Sequence, residues 1–207
     1  MNRKKYWTMT FLVTLLPIFA GLLLWDRLPD RMPTHFGVDG AADGWSGKGF
    51  AVFGIPLMML FFQVVIRLAT MLDKNNRGHN RKVMDLVGLI FPGMSIVTAA
   101  VMYTLALGRE LNIAMLLFPM LGLMFIAMGN WMPKIKQNAT LGIKIRWTLY
   151  SEENWNKTHR LAGWLMVICG FAFIVNAFIL SEIIFVFCLA AALVPMVYSY
   201  ILYKKGI

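Results

Sequence analysis

Charge is scarce in this 207-residue chain: 14% of its residues are Asp, Glu, Lys or Arg, against about 25% in an ordinary soluble domain. With 59% hydrophobic residues and a mean hydropathy of +0.65, a disordered chain is excluded, and a soluble globule lacks the polar surface to cover itself. Acidic residues are the scarcer sign, 10 against 20 basic. The resulting charge of +10 is a poor nucleic-acid footprint, because long apolar runs separate the cations. Cysteine is limited to Cys169 and Cys188, both inside apolar stretches. Counted from a turn at Ser181–Glu182, their depths differ by about 9 Å at ~1.5 Å per helical residue. A disulfide needs Cα atoms within about 7 Å, so two free buried thiols and no metal site are expected. Histidine is limited to His35, His79 and His159, all in or beside loops, and no G-x-S-x-G, H-E-x-x-H or P-loop occurs. No enzyme and no cofactor are expected. Internal repeats and low-complexity segments are also missing.

What the chain has is membrane-length apolar runs. A spanning helix needs about 20 mainly apolar residues, and six stretches qualify: Tyr6–Trp25, Phe50–Leu72, Val83–Leu107, Ile113–Met132, Leu161–Leu180 and Ile183–Tyr203. A backbone facing lipid must satisfy its own polar groups, so each is expected to be a helix. The expected fold is an all-α membrane protein, one six-span bundle over residues 1–207. The first span follows a basic segment as a signal peptide would, but it is too long for that and lacks an A-x-A site, so it reads as uncleaved.

The basic residues set the direction. Fifteen of the 20 fall at the N-terminus, in the second-to-third linker (Lys74, Arg77, Arg81, Lys82), in the linker after span four and in the tail; Arg27, Arg31, Lys48 and Arg109 lie on the other side. This asymmetry predicts both termini in the cytoplasm of a multi-pass cell-membrane protein. The seven tryptophans agree, since none falls mid-span.

Two connections are long. The extracytoplasmic loop, 26–49, carries Pro29, Pro33 and five glycines from Gly37 to Gly49, which makes regular helix unlikely; Asp39-Gly40 and Asp43-Gly44 are turn signals. Three uses are open to it: a turn-rich cap with His35 bonded locally, a contact surface for a peptide or partner, or a hard-cation site from His35, Asp39 and Asp43. Their spacing fits neither an EF-hand nor a zinc pattern.

In the cytoplasmic loop, 133–160, Ile143, Ile145, Trp147 and Leu149 alternate with Lys144, Arg146 and Thr148. Period two predicts an extended segment, one face apolar and the other basic, suited to anionic lipid or an acidic partner. Ser151-Glu152-Glu153-Asn154 predicts a helix start running on into span five, with Trp155, Thr158, His159 and Ala162 on one face. The loop is either an interfacial anchor or a docking surface. Two glycosylation patterns, at Asn138 and Asn156, lie on the cytoplasmic side and are discarded.

Polar residues within spans are few. Arg67 is placed to snorkel, and Asp85 to pair with Arg67 or Arg81; Gln63, Asn130 and Asn176 suit helix bridging. Prolines 17, 56, 92, 119 and 195 offer kinks in five spans. These features are the support for an alternative reading, a small transporter or channel; a structural component without ligand is a third.

Gly129-Asn130-Trp131-Met132-Pro133-Lys134, Asn138, Gly142 through Leu149, Glu153, Trp155, Thr158-His159-Arg160 and Gly163 resemble the signature of the SdpI family. These are bacterial membrane proteins named for an immunity protein against a secreted antimicrobial peptide. Leu28 through Gly37, Asp43-Gly44-Trp45 and Lys48 resemble a short domain of unknown function that often precedes that signature. The resemblance places an SdpI-like region at 113–203. It implies a membrane immunity and signalling protein that meets a secreted peptide outside and holds a cytoplasmic repressor inside, with no direct nucleic-acid contact. The expected contacts are His35, Asp39 and Asp43 outside. On the inner side they are Asn130, Lys134, Asn138, Lys144, Arg146, Trp147, Thr148, Glu153, Trp155, His159 and Arg160.

Overall fold

The computed structural model describes residues 3–37, 39–73 and 81–207; Lys74, Arg77 and His79, counted above, lie outside them. The order is α1 (Arg3–Leu23), β1 (Arg31–Phe36), β2 (Ala42–Gly47), α2 (Ile55–Leu72), α3 (Arg81–Ala106), α4 (Ile113–Trp131), α5 (Arg146–Tyr150), α6 (Glu152–Ile179) and α7 (Ile184–Lys204). A π-helical turn, Phe50–Gly54, leads into α2. Six of the helices are long and apolar enough to cross a membrane, and large side chains such as Leu12, Phe61, Phe171, Phe178 and Val186 are left exposed along them. In lipid such exposure costs nothing, because the tails are as apolar as the side chains. The expected span limits hold to within a few residues. The fifth helix starts earlier, as the Ser151 signal predicts: the Ser151 hydroxyl accepts the Asn154 amide at 3.2 Å.

The chain divides into two compact units, Met1–Leu68 with Met84–Ile113, and Ala69–Val83 with Ala114–Ile207. In the first, polar bonds staple three apolar helices. The Thr14 hydroxyl of α1 donates to Gln63 Oε1 of α2 (2.7 Å), and Gln63 Nε2 donates to the Gly88 carbonyl of α3 (3.2 Å). Ser95 donates to the Thr14 carbonyl (2.8 Å) and Tyr103 to that of Pro17 (2.9 Å). Helices in lipid gain little from burying apolar surface, so such bonds at about 0.6–2 kcal/mol each are a main source of their cohesion. The Arg67 guanidinium lies over the Trp7 ring, 4.7 Å from its centroid, and the Tyr6 hydroxyl donates to the Asp85 carbonyl.

In the second unit α4 and α6 meet through glycines. A Cβ on Gly122 would stand 2.5 Å from the Gly170 carbonyl oxygen, and one on Gly129 would stand 2.6 Å from that of Gly163. The two meetings are about two turns apart on each helix and run in opposite order, so the helices are antiparallel and their backbones nearly touch. The α6–α7 side is apolar, built on Cys169, Phe173 and Ile184. Here one expectation is corrected. Cys169 and Cys188 are free, but their sulfurs are 3.6 Å apart rather than separated by depth.

Candidate functional site

The two long connections carry the polar surface, one in each unit. The first is not an irregular cap but a β-hairpin, with β1 and β2 antiparallel: Met32 opposite Ser46, Pro33 opposite Trp45, His35 opposite Gly44. The turn signal at Asp39-Gly40 holds. Gly37 N–H donates to the Ala41 carbonyl at 2.8 Å, and Asp39 Oδ1 accepts the Ala41 amide at 3.0 Å. The signal at Asp43-Gly44 is a correction, since both residues are in β2. Gly44 serves close pairing there, because a Cβ would come within 2.9 Å of the His35 Cβ.

Met32 and Leu28 are buried among Val52, Met102 and Tyr103, and they anchor the hairpin on the helices. Lys48 closes its base by donating to the carbonyls of Trp25 (3.2 Å) and Leu28 (2.9 Å). Of the three residues expected to act together, His35 and Asp43 do meet, Nδ1 to Oδ1 at 2.5 Å, with 75% and 52% of their side chains exposed. Asp39 is engaged in its own turn. Trp45 and Phe50 are exposed nearby in the chain.

The second connection, between α4 and α6, is built around buried polar side chains. Asn138 is a hub: its Nδ2 donates to the Lys136 (2.8 Å) and Leu141 (3.1 Å) carbonyls, and its Oδ1 accepts from the Thr140 (2.8 Å) and Leu141 (2.6 Å) amides. Asp73 accepts the Ala139 amide at 2.9 Å and the Thr140 hydroxyl. His159 Nε2 accepts the Ile143 amide at 3.0 Å while its Nδ1 meets the Trp155 carbonyl at 2.9 Å. An amide only donates, so Nε2 carries no proton and the ring is the neutral Nδ1–H tautomer. Trp155 stacks on that ring, centroids 4.0 Å apart, and its Nε1 donates to the Ile135 carbonyl at 2.7 Å. Gly142 passes directly over His159 with φ of 98°, and a Cβ there would stand 2.2 Å from Nε2.

The extended segment expected from Gly142 to Leu149 ends at Ile145, and Arg146–Tyr150 is a helical turn. Thr148 causes the change. Its buried hydroxyl accepts the Ile145 amide (3.1 Å) and lies 2.8 Å from the Ile143 carbonyl, which caps the turn. The alternation survives in exposure as far as Trp147, with Lys144 and Arg146 outward and Ile143, Ile145 and Trp147 half-buried, and then reverses, since Thr148 is buried and Leu149 exposed. Trp147 packs against Tyr200 and Tyr203 of α7, at centroid distances of 5.3 and 6.0 Å.

The residues expected to contact a partner therefore separate. Asn138, Thr148, Trp155 and His159 are interior. Glu153 pairs with Lys157 at 2.7 Å. Asn130, Lys134, Lys144, Arg146 and Arg160 are exposed. Sequence reasoning missed Asn154, fully buried, which donates to the Ser199 carbonyl (2.9 Å) and accepts the Ser199 hydroxyl (2.5 Å), tying α6 to α7. It also missed Lys48 as a clamp. A lone Asn in a helix start and a lone Lys after glycines carry no periodic signal.

Residues 134–199 match the SdpI/YfhL protein family and residues 12–60 match a domain of unknown function, DUF1648. The chain is 26% identical over 208 aligned residues to "Immunity protein SdpI" of Bacillus subtilis (strain 168), covering 95% of each. The chain is thus similar to the SdpI/YfhL family over residues 134–199, with the DUF1648 match preceding it. It is a multi-pass bacterial membrane protein. The match to the SdpI family contains the Asn138–His159 network, and the DUF1648 match contains the hairpin. No solved structure matches the chain.

Proposed function

We propose that this protein is a membrane immunity protein, not an enzyme, that protects its host from a secreted membrane-active peptide. The observation that carries the reading is similarity over 95% of the chain to a protein named for immunity. The hairpin is the peptide-facing element in this proposal. It presents the His35–Asp43 pair and Trp45 to solvent, and a rigid base at Lys48 holds it. In the same proposal both termini and the α4–α6 connection are cytoplasmic, as the basic residues suggest. There Lys144 and Arg146, exposed on an ordered loop, are the surface for an acidic face of a repressor held at the membrane. Coupling the two ends requires only that peptide and repressor bind two states of the protein with different affinities.

Expression in a sensitive strain, followed by challenge with a panel of secreted peptide toxins, is expected to restore growth against at least one of them. Unchanged survival across the panel overturns the immunity reading. The orientation has its own test: a fluorescent-protein fusion at the C-terminus should fluoresce, whereas activity of an alkaline phosphatase fusion there would reverse the sides. Of the three polar residues behind the transporter reading, Gln63 is engaged in bonds between α1, α2 and α3, Asn176 accepts the Ser181 amide at the end of α6, and Asn130 is exposed on α4.

A further inference from the structure

The loop network leaves Asn130, Lys134 and Arg160 unused. The side chains of Asn130 and Arg160 make no hydrogen bond or ion pair among the described residues, and the Lys134 ammonium rests on the Trp131 ring, 4.5 Å from its centroid. All three border one open groove of about 590 Å³ on the α4–α6 face, inside the range of about 300–1,000 Å³ of sites that hold small ligands. Gly129 and Gly163 line it where the two backbones nearly touch. The groove is chemically divided. Lys134 and Arg160 stand at the end where α4 stops and α6 is still polar, and Val167, Phe171 and the exposed Trp164 line the part along the apolar run. Lys157, close by, pairs with Glu153 at 2.7 Å, and Glu152 stands in the pocket beyond Arg160, but the groove itself is lined by two cations and no acid.

We propose that this groove is a binding site for one anionic phospholipid, with the headgroup phosphate between Lys134 and Arg160 and an acyl chain along Val167 and Phe171. Two features select that occupant. Paired cations at the membrane surface complement a phosphate, and an apolar trough continuing from them into the bilayer complements a chain, which a soluble acidic ligand lacks. Arg160 offers the forked donor geometry that phosphate oxygens accept, and Lys134 supplies a point charge. Lipid held there would also cover the thin glycine seam between α4 and α6. The proposal does not depend on the immunity reading, since it concerns what the bilayer supplies.

The test is native mass spectrometry of the full chain in neutral detergent, titrated with phosphatidylglycerol or with phosphatidylcholine. One phosphatidylglycerol is expected to be retained well above phosphatidylcholine. At about 1 kcal/mol per cation near an anionic surface, Lys134→Gln and Arg160→Gln should each weaken retention about fivefold. Ala127→Phe, which fills the groove without touching charge, should weaken phosphatidylglycerol and leave the thermal stability near that of the parent. Lys204→Gln with Lys205→Gln removes the same charge elsewhere and should change nothing. Equal losses from both charge pairs, or no preference for phosphatidylglycerol, overturn the proposal. Glycerol 3-phosphate competing as well as the whole lipid would reduce the site to a phosphate site and overturn the chain-binding half. Displacement of the lipid by an acidic peptide at matching concentration would assign the groove to a protein partner instead.

Discussion

The hairpin and the α4–α6 connection are both long, polar and rich in residues that sequence reasoning assigns to contact, yet they are held in opposite ways. The hairpin is held by its backbone ladder and by Met32, buried beneath it, so its polar side chains remain on the surface. The α4–α6 connection has no ladder, and its backbone groups are satisfied by side chains, so Asn138, Thr148 and His159 are sunk against it at 1% exposure or less. The comparison teaches that a polar residue in a loop signature has two distinct physical uses. Where backbone pairs with backbone, polar side chains are free to recognise something. Where no regular structure exists, buried backbone groups must still be paired, and polar side chains are consumed in folding.

This difference is testable by thermal unfolding of the detergent-solubilised chain. The largest effect is expected from Gly142→Ala. A positive φ costs an L-residue about 1–2 kcal/mol, and displacing His159 leaves the Ile143 amide unpaired for about 1–3 kcal/mol more. A loss near 3 kcal/mol is expected, and a change below about 1 kcal/mol would mean that the connection is not held over His159. Asn138→Ala should follow at about 2 kcal/mol, because four backbone groups lose their partner and only some regain water. Asn138→Asp keeps the two accepting contacts and loses the donating ones, so it should fall between Asn138→Ala and the parent. Next is Lys48→Met, where the base of the hairpin depends on a half-buried polar side chain. Losing a charged donor to two carbonyls should cost about 1.5 kcal/mol, and a larger loss than Asn138→Ala would break the comparison.

The same contrast explains what the sequence made legible. The six spans were readable because lipid demands about 20 apolar residues each and nothing else in the chain imitates that. The start of α6 was readable because Ser151 followed by Glu152 and Glu153 satisfies free amides and the helix dipole at once, and the buried face of Trp155, Thr158, His159 and Ala162 follows from helical spacing. The hairpin was not readable: Pro33 breaks the alternation, and the register is irregular on both sides of His35. The helical turn Arg146–Tyr150 was not readable because the alternation holds in exposure only as far as Trp147, and the backbone then obeys a cap by the buried Thr148 that no periodicity reveals. Above all, sequence does not distinguish an Asn that contacts a partner from an Asn that folds a loop. The resemblance marks Asn138 and Arg160 alike, and burial alone tells them apart.

The smallest expected effect on stability is also the one that bears most on function. His35 and Asp43 form a hydrogen-bonded pair more than half exposed, and exposed polar pairs contribute about 0–1 kcal/mol because water competes for both partners. Asp43→Asn should therefore shift the unfolding temperature by less than any substitution above, and the hairpin should remain intact, since its ladder and Met32 are untouched. If the hairpin meets the toxin, the same substitution should still lower survival of the expressing strain under peptide challenge. A fall in survival without a fall in stability would separate recognition from folding. A drop in unfolding temperature equal to that of Asn138→Ala would show that the hairpin, too, is folded by its polar side chains, and that its exposed pair is no surface for a ligand.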